Sequence, residues 1–236
     1  MLQQTQVARA LPAYHKFLVR FPTLGALARS SVGDVLRAWS GLGYNRRARD
    51  LHRIARLHPR RLPLDTAALD ALPGIGAYTA GAVVCFAGGR RVAFADTNIK
   101  RVLGRLVLGR VATEREAVAI DERLMPRRQP DRWHHALMDL GATVCLARAP
   151  ACPSCPLRAE CRSRDRAVAV PRRRQTPFGP SDRRVRGRIV ALLRERSQSV
   201  AALRRTLDDA RVPRLVDALV EEGIVERRGP AVRLPV

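Results

Sequence analysis

Four cysteines crowd one short stretch of this chain, Cys145-x6-Cys152-x2-Cys155-x5-Cys161, with Pro153 and Pro156 holding the turns between them. No other feature limits the fold as sharply. Thiolates this close in sequence can surround one compact metal centre, and the backbone between them has to bend to allow it. Iron–sulfur cubes take four cysteines. Structural zinc accepts four as well, and its Cys-x2-Cys half is present. Zinc ribbons add a second close pair, which the x6 and x5 gaps do not supply, so the spacing favours iron–sulfur and leaves zinc open. Disulfide pairing is the remote alternative. Cys85 lies in an apolar run of helical length and reads as a small buried hydrophobe.

A second constraint is Leu72-Pro73-Gly74-Ile75-Gly76-Ala77-Tyr78-Thr79-Ala80, followed by Asp96-Thr97-Asn98. Two glycines bracket Ile75, and an apolar run then opens from Thr79 to Phe86. This pattern predicts a tight turn feeding a helix N-terminus, whose free N–H groups form an anion site. A helix-to-helix turn with no ligand is the simpler reading of a lone Gly-x-Gly.

Helical spacing extends through the first part of the chain. Val7, Leu11, Tyr14, Leu18 and Phe21 recur every three or four positions, with Pro12 as a candidate bend. Ser31-x-x-Asp34 resembles a capping box and starts a helix through Trp39. Gly41-Leu42-Gly43-Tyr44 ends it, and Asn45 to Leu57 resumes the spacing. Asp65 or Thr66 caps a helix leading to Leu72. Asn98 to Leu108, Glu114 to Leu124 and Asp131 to Val144 are further helices. No strand-like alternation precedes Pro150, so this part is all-α.

The chain carries 44 Lys+Arg against 21 Asp+Glu, a net charge of +23. Such an excess attracts polyanions with a salt-dependent affinity, so nucleic acid is the expected partner and a membrane surface the weaker one. No apolar stretch approaches the ~20 residues that span a bilayer. The first residues lack the basic-then-apolar order of a signal peptide, which predicts a cytoplasmic protein.

From about residue 166 to 180 the composition shifts to a basic, proline-containing linker, Pro171-Arg172-Arg173-Arg174 and Pro177-Phe178-Gly179-Pro180. Beyond it, Arg184 to Arg194, Val200 to Leu207 and Pro213 to Glu222 read as helices, followed by a hairpin over Ile224 to Leu234. Three helices and a hairpin suggest a winged-helix-like domain over 181–236, which binds DNA through its third helix or else binds protein.

Taken together, Leu72-Pro73-Gly74-Ile75-Gly76, Asp96 and the cysteine spacing resemble the endonuclease III/MutY group of helix-hairpin-helix DNA glycosylases. Within that group, Met1-Leu2-Gln3-Gln4-Thr5-Gln6-Val7, Gly41-Leu42-Gly43-Tyr44 and Met138-Asp139-Leu140-Gly141-Ala142 are similar to the MutY-type adenine glycosylases. The resemblance covers residues 1–165 and implies a mainly α, two-subdomain fold with a DNA groove between the subdomains and a [4Fe–4S] cluster loop over 145–161. It implies removal of adenine mispaired with guanine or 8-oxoguanine from double-stranded DNA, by a chain expected to act as a monomer. Asp96 matches the carboxylate that stabilises the oxocarbenium-like sugar, with Tyr78 and Asn98 around the attacking water. Gln3, Gln4, Thr5 and Tyr44 match residues at the base stack beside the lesion, Gly74 and Gly76 present N–H groups to phosphate, Lys100 meets a phosphate, and Asp139 sits near the base pocket. Cys145, Cys152, Cys155 and Cys161 are the implied cluster ligands.

Each of these residues also has an ordinary reading. Gln3 and Gln4 suit a solvated helix start, Tyr44 a turn aromatic, Lys100 a surface charge, and Asp96 an N-cap for the helix that follows. A base inside a duplex has to be extruded before it can be cut, and wedge side chains then fill the gap. Strand-cutting relatives use a lysine for a Schiff base. This chain has only Lys16 and Lys100, with Tyr78 at the hairpin position where those relatives carry lysine, so base excision without strand cleavage is expected.

Two departures qualify the match. The family's glutamate that protonates the leaving adenine lies two residues before the methionine matching Met1, and its first helices precede that point too. The chain as written is therefore expected to bind its DNA and cleave it slowly, general acid catalysis being worth about 10²–10⁴-fold. An upstream start, a shortened chain and a binder without chemistry are the alternatives. Most MutY-type enzymes also carry a larger C-terminal domain that reads 8-oxoguanine, where this chain has the linker and tail. The rival reading is a thymine or uracil mismatch glycosylase of the same superfamily, which shares Tyr78 and the cysteine pattern. A transcription factor, resting on the tail alone, is weaker.

Overall fold

Side-chain caps set where the early helices begin. The structure is a computed structural model describing residues 1–2, 5–164, 166 and 177–236; Gln3, Gln4 and the arginines at 172–174 lie outside the described residues. Helix α1 (Val7–Arg20) runs unbroken through Pro12. Thr23 accepts the Ala26 N–H at the head of α2 (Leu24–Arg29), and Ser31 accepts the Asp34 N–H at the head of α3 (Val32–Ala38). The expected reciprocal bond at Ser31 takes another form: the Ser31 hydroxyl donates to Asp34 Oδ2 at 2.9 Å. Aspartate is one methylene shorter than the usual glutamate and stops at the hydroxyl. Gly41 and Gly43 (φ +83° and +67°) and then Tyr44 (φ +49°) turn the chain into α4 (Asn45–Leu57). The Trp39 indole N–H pins that turn by donating to the Gly43 carbonyl at 2.9 Å.

The remaining helices are α5 (Thr66–Asp70), α6 (Ala77–Phe86), α7 (Thr97–Leu103) with a π-helical turn over Gly104–Leu108, α8 (Glu114–Leu124) and α9 (Pro130–Thr143). Thr113 and Glu116 form a full capping box at α8. The tail contributes α10 (Asp182–Glu195), β1 (Gln198–Ser199), α11 (Val200–Leu207), α12 (Val212–Glu221), β2 (Glu226–Arg228) and β3 (Ala231–Arg233). Its antiparallel sheet has the order β1-β3-β2, with Gln198 opposite Val232 and Arg227 opposite Val232 on the other side. The hairpin is legible in the sequence and β1 is not, because two residues carry no readable alternation.

Two compact units result, Met1–Leu62 with Arg174–Val236, and Pro63–Arg173. In the first, Phe17, Phe21, Leu36 and Trp39 share one apolar core with Ile189, Leu193, Leu215 and Val232 of the tail. The composition-based boundaries at 165 and 181 do not anticipate that shared core. Backbone bonds reinforce it: Gly33 N–H donates to the Pro235 carbonyl at 2.9 Å, and Arg194 Nε to the Leu36 carbonyl at 3.1 Å. A Cβ on Gly33 would meet the Pro235 oxygen at 2.5 Å, so glycine is required there by the packing.

In the second unit, Phe94, Ile99, Val102, Leu103 and Leu137 form the core, with Cys85 buried among them as expected. Burial, together with Asp131 and Asp121, pushes the Cys85 thiol up to about 11 and keeps it protonated. No described helix is long and apolar enough to cross a membrane.

Candidate active site

The turn between α5 and α6 assigns different work to its two glycines. Gly74 adopts φ +74°, a conformation that disfavours any side chain. Gly76 is extended (φ −116°) and heads α6 without a side-chain cap. A Cβ at Gly76 would meet no protein atom within 4 Å. The fold therefore requires glycine at 74 but not at 76, where the missing side chain instead leaves the uncapped helix end open to a partner from outside. An uncapped helix N-terminus attracts anions such as phosphate.

Asp96 heads α7. Its Oδ1 accepts the Ile99 N–H at 2.7 Å, and its Oδ2 accepts from Asn98 Nδ2 at 3.0 Å. The carboxylate is half-buried, within reach of solvent. It is thus both an N-cap and an oriented, accessible acid at the positive end of a helix. Tyr78, on the first turn of α6, lies edge-on to Phe94 with centroids 5.6 Å apart. Burial and then the Asp96 charge push its hydroxyl pKa up, so it keeps its proton at neutral pH and can donate.

Asn98 is itself held in place. Its Oδ1 accepts from Arg101 Nη2 at 2.8 Å, which fixes which end of the amide faces Asp96. Arg101 is only 7% exposed. It also donates to the carbonyls of Gly141 (2.6 Å), Cys145 (2.7 Å) and Thr97 (3.3 Å). A continuous chain of polar contacts therefore runs from the cysteine loop through Arg101 and Asn98 to Asp96. In the sequence Arg101 gives only a weak signal, a cation between the apolar Ile99 and Val102 on a helix. Gly141 completes the arrangement, because a Cβ there would stand 2.6 Å from Asn98 Cβ. Gly141→Ala is expected to push Asn98 off Asp96 and to cost about 1–3 kcal/mol of stability, measurable by urea denaturation alongside a loss of activity.

Cys145, Cys152, Cys155 and Cys161 line one small cavity together with Arg105 and Arg158. Arg105 Nη1 points at Cys145 Sγ from 3.4 Å and donates to the Leu146 carbonyl at 2.7 Å. Burial pushes the Cys161 thiol up, a hydrogen bond from the Ser163 backbone opposes it, and the nearby Cys145, Cys155 and Cys152 add to the rise. Among the described residues no group of three His, Cys, Asp or Glu converges on a single-ion site. Four thiols around one cavity with guanidinium donors at its edge fit the donor set of a polynuclear iron–sulfur cluster, whose charge and potential are set partly by hydrogen bonds to sulfur.

Lys100 lies one turn after Asp96 and is half-buried; Asp139 is exposed on α9. Thr5 and Tyr44 belong to the first unit, where Tyr44 is 44% exposed with the Arg47 guanidinium 4.9 Å from its ring centroid. The second unit contains Gly74, Gly76, Tyr78, Asp96, Asn98, Asp139 and the four cysteines; of these, hydrogen bonding joins Asn98 to Asp96, and the cysteines share one cavity. A buried cluster in the same unit gives no signal in the sequence. His134 lies between the Pro130 carbonyl and Asp121 Oδ2 (2.8 Å each), the Trp133 indole donates to Asp121 Oδ1 at 2.6 Å, and Phe94 stacks on the His134 ring.

Residues 1–126 match the HhH-GPD superfamily of base excision DNA repair proteins. The chain is 41% identical over 241 residues to the adenine DNA glycosylase of Mycolicibacterium smegmatis, covering 96% of this chain and 82% of that one. It is 37% identical over 176 residues to the human adenine DNA glycosylase, covering 70% of this chain and 32% of that one. Among solved structures, a thermostable thymine-DNA glycosylase superposes with a TM-score of 0.60 at 26% identity, over 70% of this chain and 80% of that one. A non-covalent endonuclease III–DNA complex also gives 0.60 at 26% identity, over 68% and 78%.

Proposed function

Because the chain belongs to the HhH-GPD superfamily, in its adenine DNA glycosylase branch, we propose that it hydrolyses the N-glycosidic bond of adenine mispaired with guanine or 8-oxoguanine. The observation that carries the mechanism is the half-buried Asp96 carboxylate held from both sides by Ile99 N–H and Asn98 Nδ2. As the bond to adenine breaks, positive charge develops on the sugar, and a preoriented carboxylate lowers that barrier without reorganising. In this reading Asn98 and the protonated Tyr78 hydroxyl hold the attacking water. The uncapped start of α6 at Gly76, with the Gly74 turn before it, grips a backbone phosphate. With the nucleotide extruded, Gln3, Gln4, Thr5 and Tyr44 attend the gap in the stack, while Lys100 meets backbone phosphate and Asp139 borders the base. Tyr78 takes the hairpin position of a Schiff-base lysine, so the reaction ends at the abasic site.

Cys145, Cys152, Cys155 and Cys161 would hold a [4Fe–4S] cluster that locks the loop onto Arg101 and Arg105. The purified chain is expected to contain iron and to absorb visible light, and Cys145→Ser to lose both signals. Retention of iron by that variant would remove Cys145 from the ligand set. We place the protein in the cytoplasm on chromosomal DNA, as a monomer.

The rival substrate is thymine or uracil opposite guanine. The 41% identity to an adenine DNA glycosylase over almost the whole chain, against 26% to a thymine-DNA glycosylase over 70%, favours adenine. Base-release assays on A·G, A·8-oxoguanine, T·G and U·G duplexes test it. Release confined to the T·G and U·G duplexes would overturn the adenine reading.

A further inference from the structure

The first compact unit contains a cavity of about 930 Å³ whose walls come from both ends of the chain. Arg9 of α1, Arg46 and Arg47 of α4, and Arg183, Arg186 and Gly187 of α10 face it. Among the described residues no acidic side chain lines it. Glu222 fixes the spacing of two of these arginines by pairing with both Arg46 and Arg186, and Arg49 donates to the Glu222 carbonyl. Burial opposes ionisation of Glu222, but the two guanidinium groups outweigh it and hold the carboxyl below its usual range. The wall is therefore positively charged and held rigid from behind.

Two further observations indicate what the cavity takes. Tyr44 and Phe178, which also line it, are 44% and 65% exposed. Arginines lining a groove with exposed aromatic faces form the usual seat for unstacked nucleotides, phosphate on the cations and base on the ring. The second is Gly187. It sits inside α10 on the same face as Arg183, and a Cβ there would meet nothing within 4 Å. Glycine in a helix interior is unfavourable. No neighbouring atom requires it here, so its absent side chain serves to keep the groove wall open.

We propose that this cavity is a nucleotide-binding groove through which the C-terminal tail touches DNA directly, seating one unstacked nucleotide with its base on Tyr44 or Phe178 and its phosphate among Arg9 and Arg183. The groove is a DNA site additional to the turn at Gly74–Gly76; it rests on the glycosylase reading, which already sets Thr5 and Tyr44 beside the lesion, and deepens it by adding Phe178, Arg183 and Arg186 from the C-terminal part of the chain. It also gives the tail a part in recognising the lesion.

Gly187→Leu tests the groove without disturbing the fold. Leucine is the better helix former, so the melting temperature is expected to hold or rise. The dissociation constant for a duplex carrying an A·G mismatch is expected to rise about tenfold, within the range of one lost base stack, with a smaller change for a fully paired duplex. Arg183→Ala is expected to lower the slope of log affinity against log salt by about 0.9, one phosphate's worth. Binding unchanged in both variants, or weakened equally for mismatched and paired duplexes, overturns the groove. An unsubstituted chain that binds the mismatch and releases adenine keeps the glycosylase reading even then, whereas one that ignores duplex DNA overturns both.

Discussion

Asp96→Asn is expected to slow single-turnover adenine release by about 10²–10³-fold, the cost of removing one preorganised electrostatic partner of the transition state. The fold should survive, because asparagine caps helices as well as aspartate does and the new side-chain oxygen can still accept the Ile99 N–H. The other end of the new amide then meets Asn98 Nδ2, which Asp96 Oδ2 receives at 3.0 Å in the native chain. Two donors would face each other. Asn98 cannot turn over to relieve them, because its oxygen is held by Arg101 at 2.8 Å. The variant therefore loses both the charge and the local order. Rapid-quench measurement on an A·G duplex, with melting and DNA affinity as controls, decides the matter. A rate within about tenfold of the unsubstituted chain would fall short of what preorganisation predicts, and Asp96 would then be only a helix cap.

Arg101→Leu carries the second large effect, on stability and activity together. The guanidinium donates to three carbonyls and one side-chain amide, and it is almost wholly buried. Leucine fills much of the volume but leaves those acceptors unpaired. Each buried orphan costs about 1–3 kcal/mol, and with partial relaxation the total should reach about 3–5 kcal/mol, read from urea midpoints. Freed from Arg101, Asn98 no longer orients Asp96, and a misplacement of about 1 Å can cost on the order of 10²-fold in rate. If iron content is unchanged, the loss of rate belongs to Asn98 and Asp96; if iron falls too, the Cys145 carbonyl needed Arg101 to hold the cluster loop. Full stability and full activity in this variant would show that the polar chain from Cys145 to Asp96 has no functional weight.

Much of the candidate site is legible in the sequence because its residues are local. The glycines of the turn at 72–76, the carboxylate at the start of α7 and the four-cysteine loop each declare themselves by type and spacing within a few positions. Helix positions were legible for the same reason: caps such as Ser31, Asp65 and Thr113 act on N–H groups three residues away. Residues whose partners lie far along the chain were not legible. Arg101 reaches residues 141 and 145, His134 reaches Asp121, and Glu222 reaches Arg46.

The sequence by itself therefore determined an all-helical body with a glycine turn, a capping carboxylate, a thiol loop and a basic tail. Helical period, cap chemistry and charge are properties of short segments and need no knowledge of what packs against them. Only the tertiary structure decided that α10 to β3 of the tail share a core with α1, α3 and α4, that Arg101 ties the thiol loop to Asp96, and that Gly187 and Tyr44 line one cavity. These depend on which surfaces exclude water together. Burial is non-directional and roughly proportional to area, so an apolar stripe shows that a helix packs but not which partner it packs on.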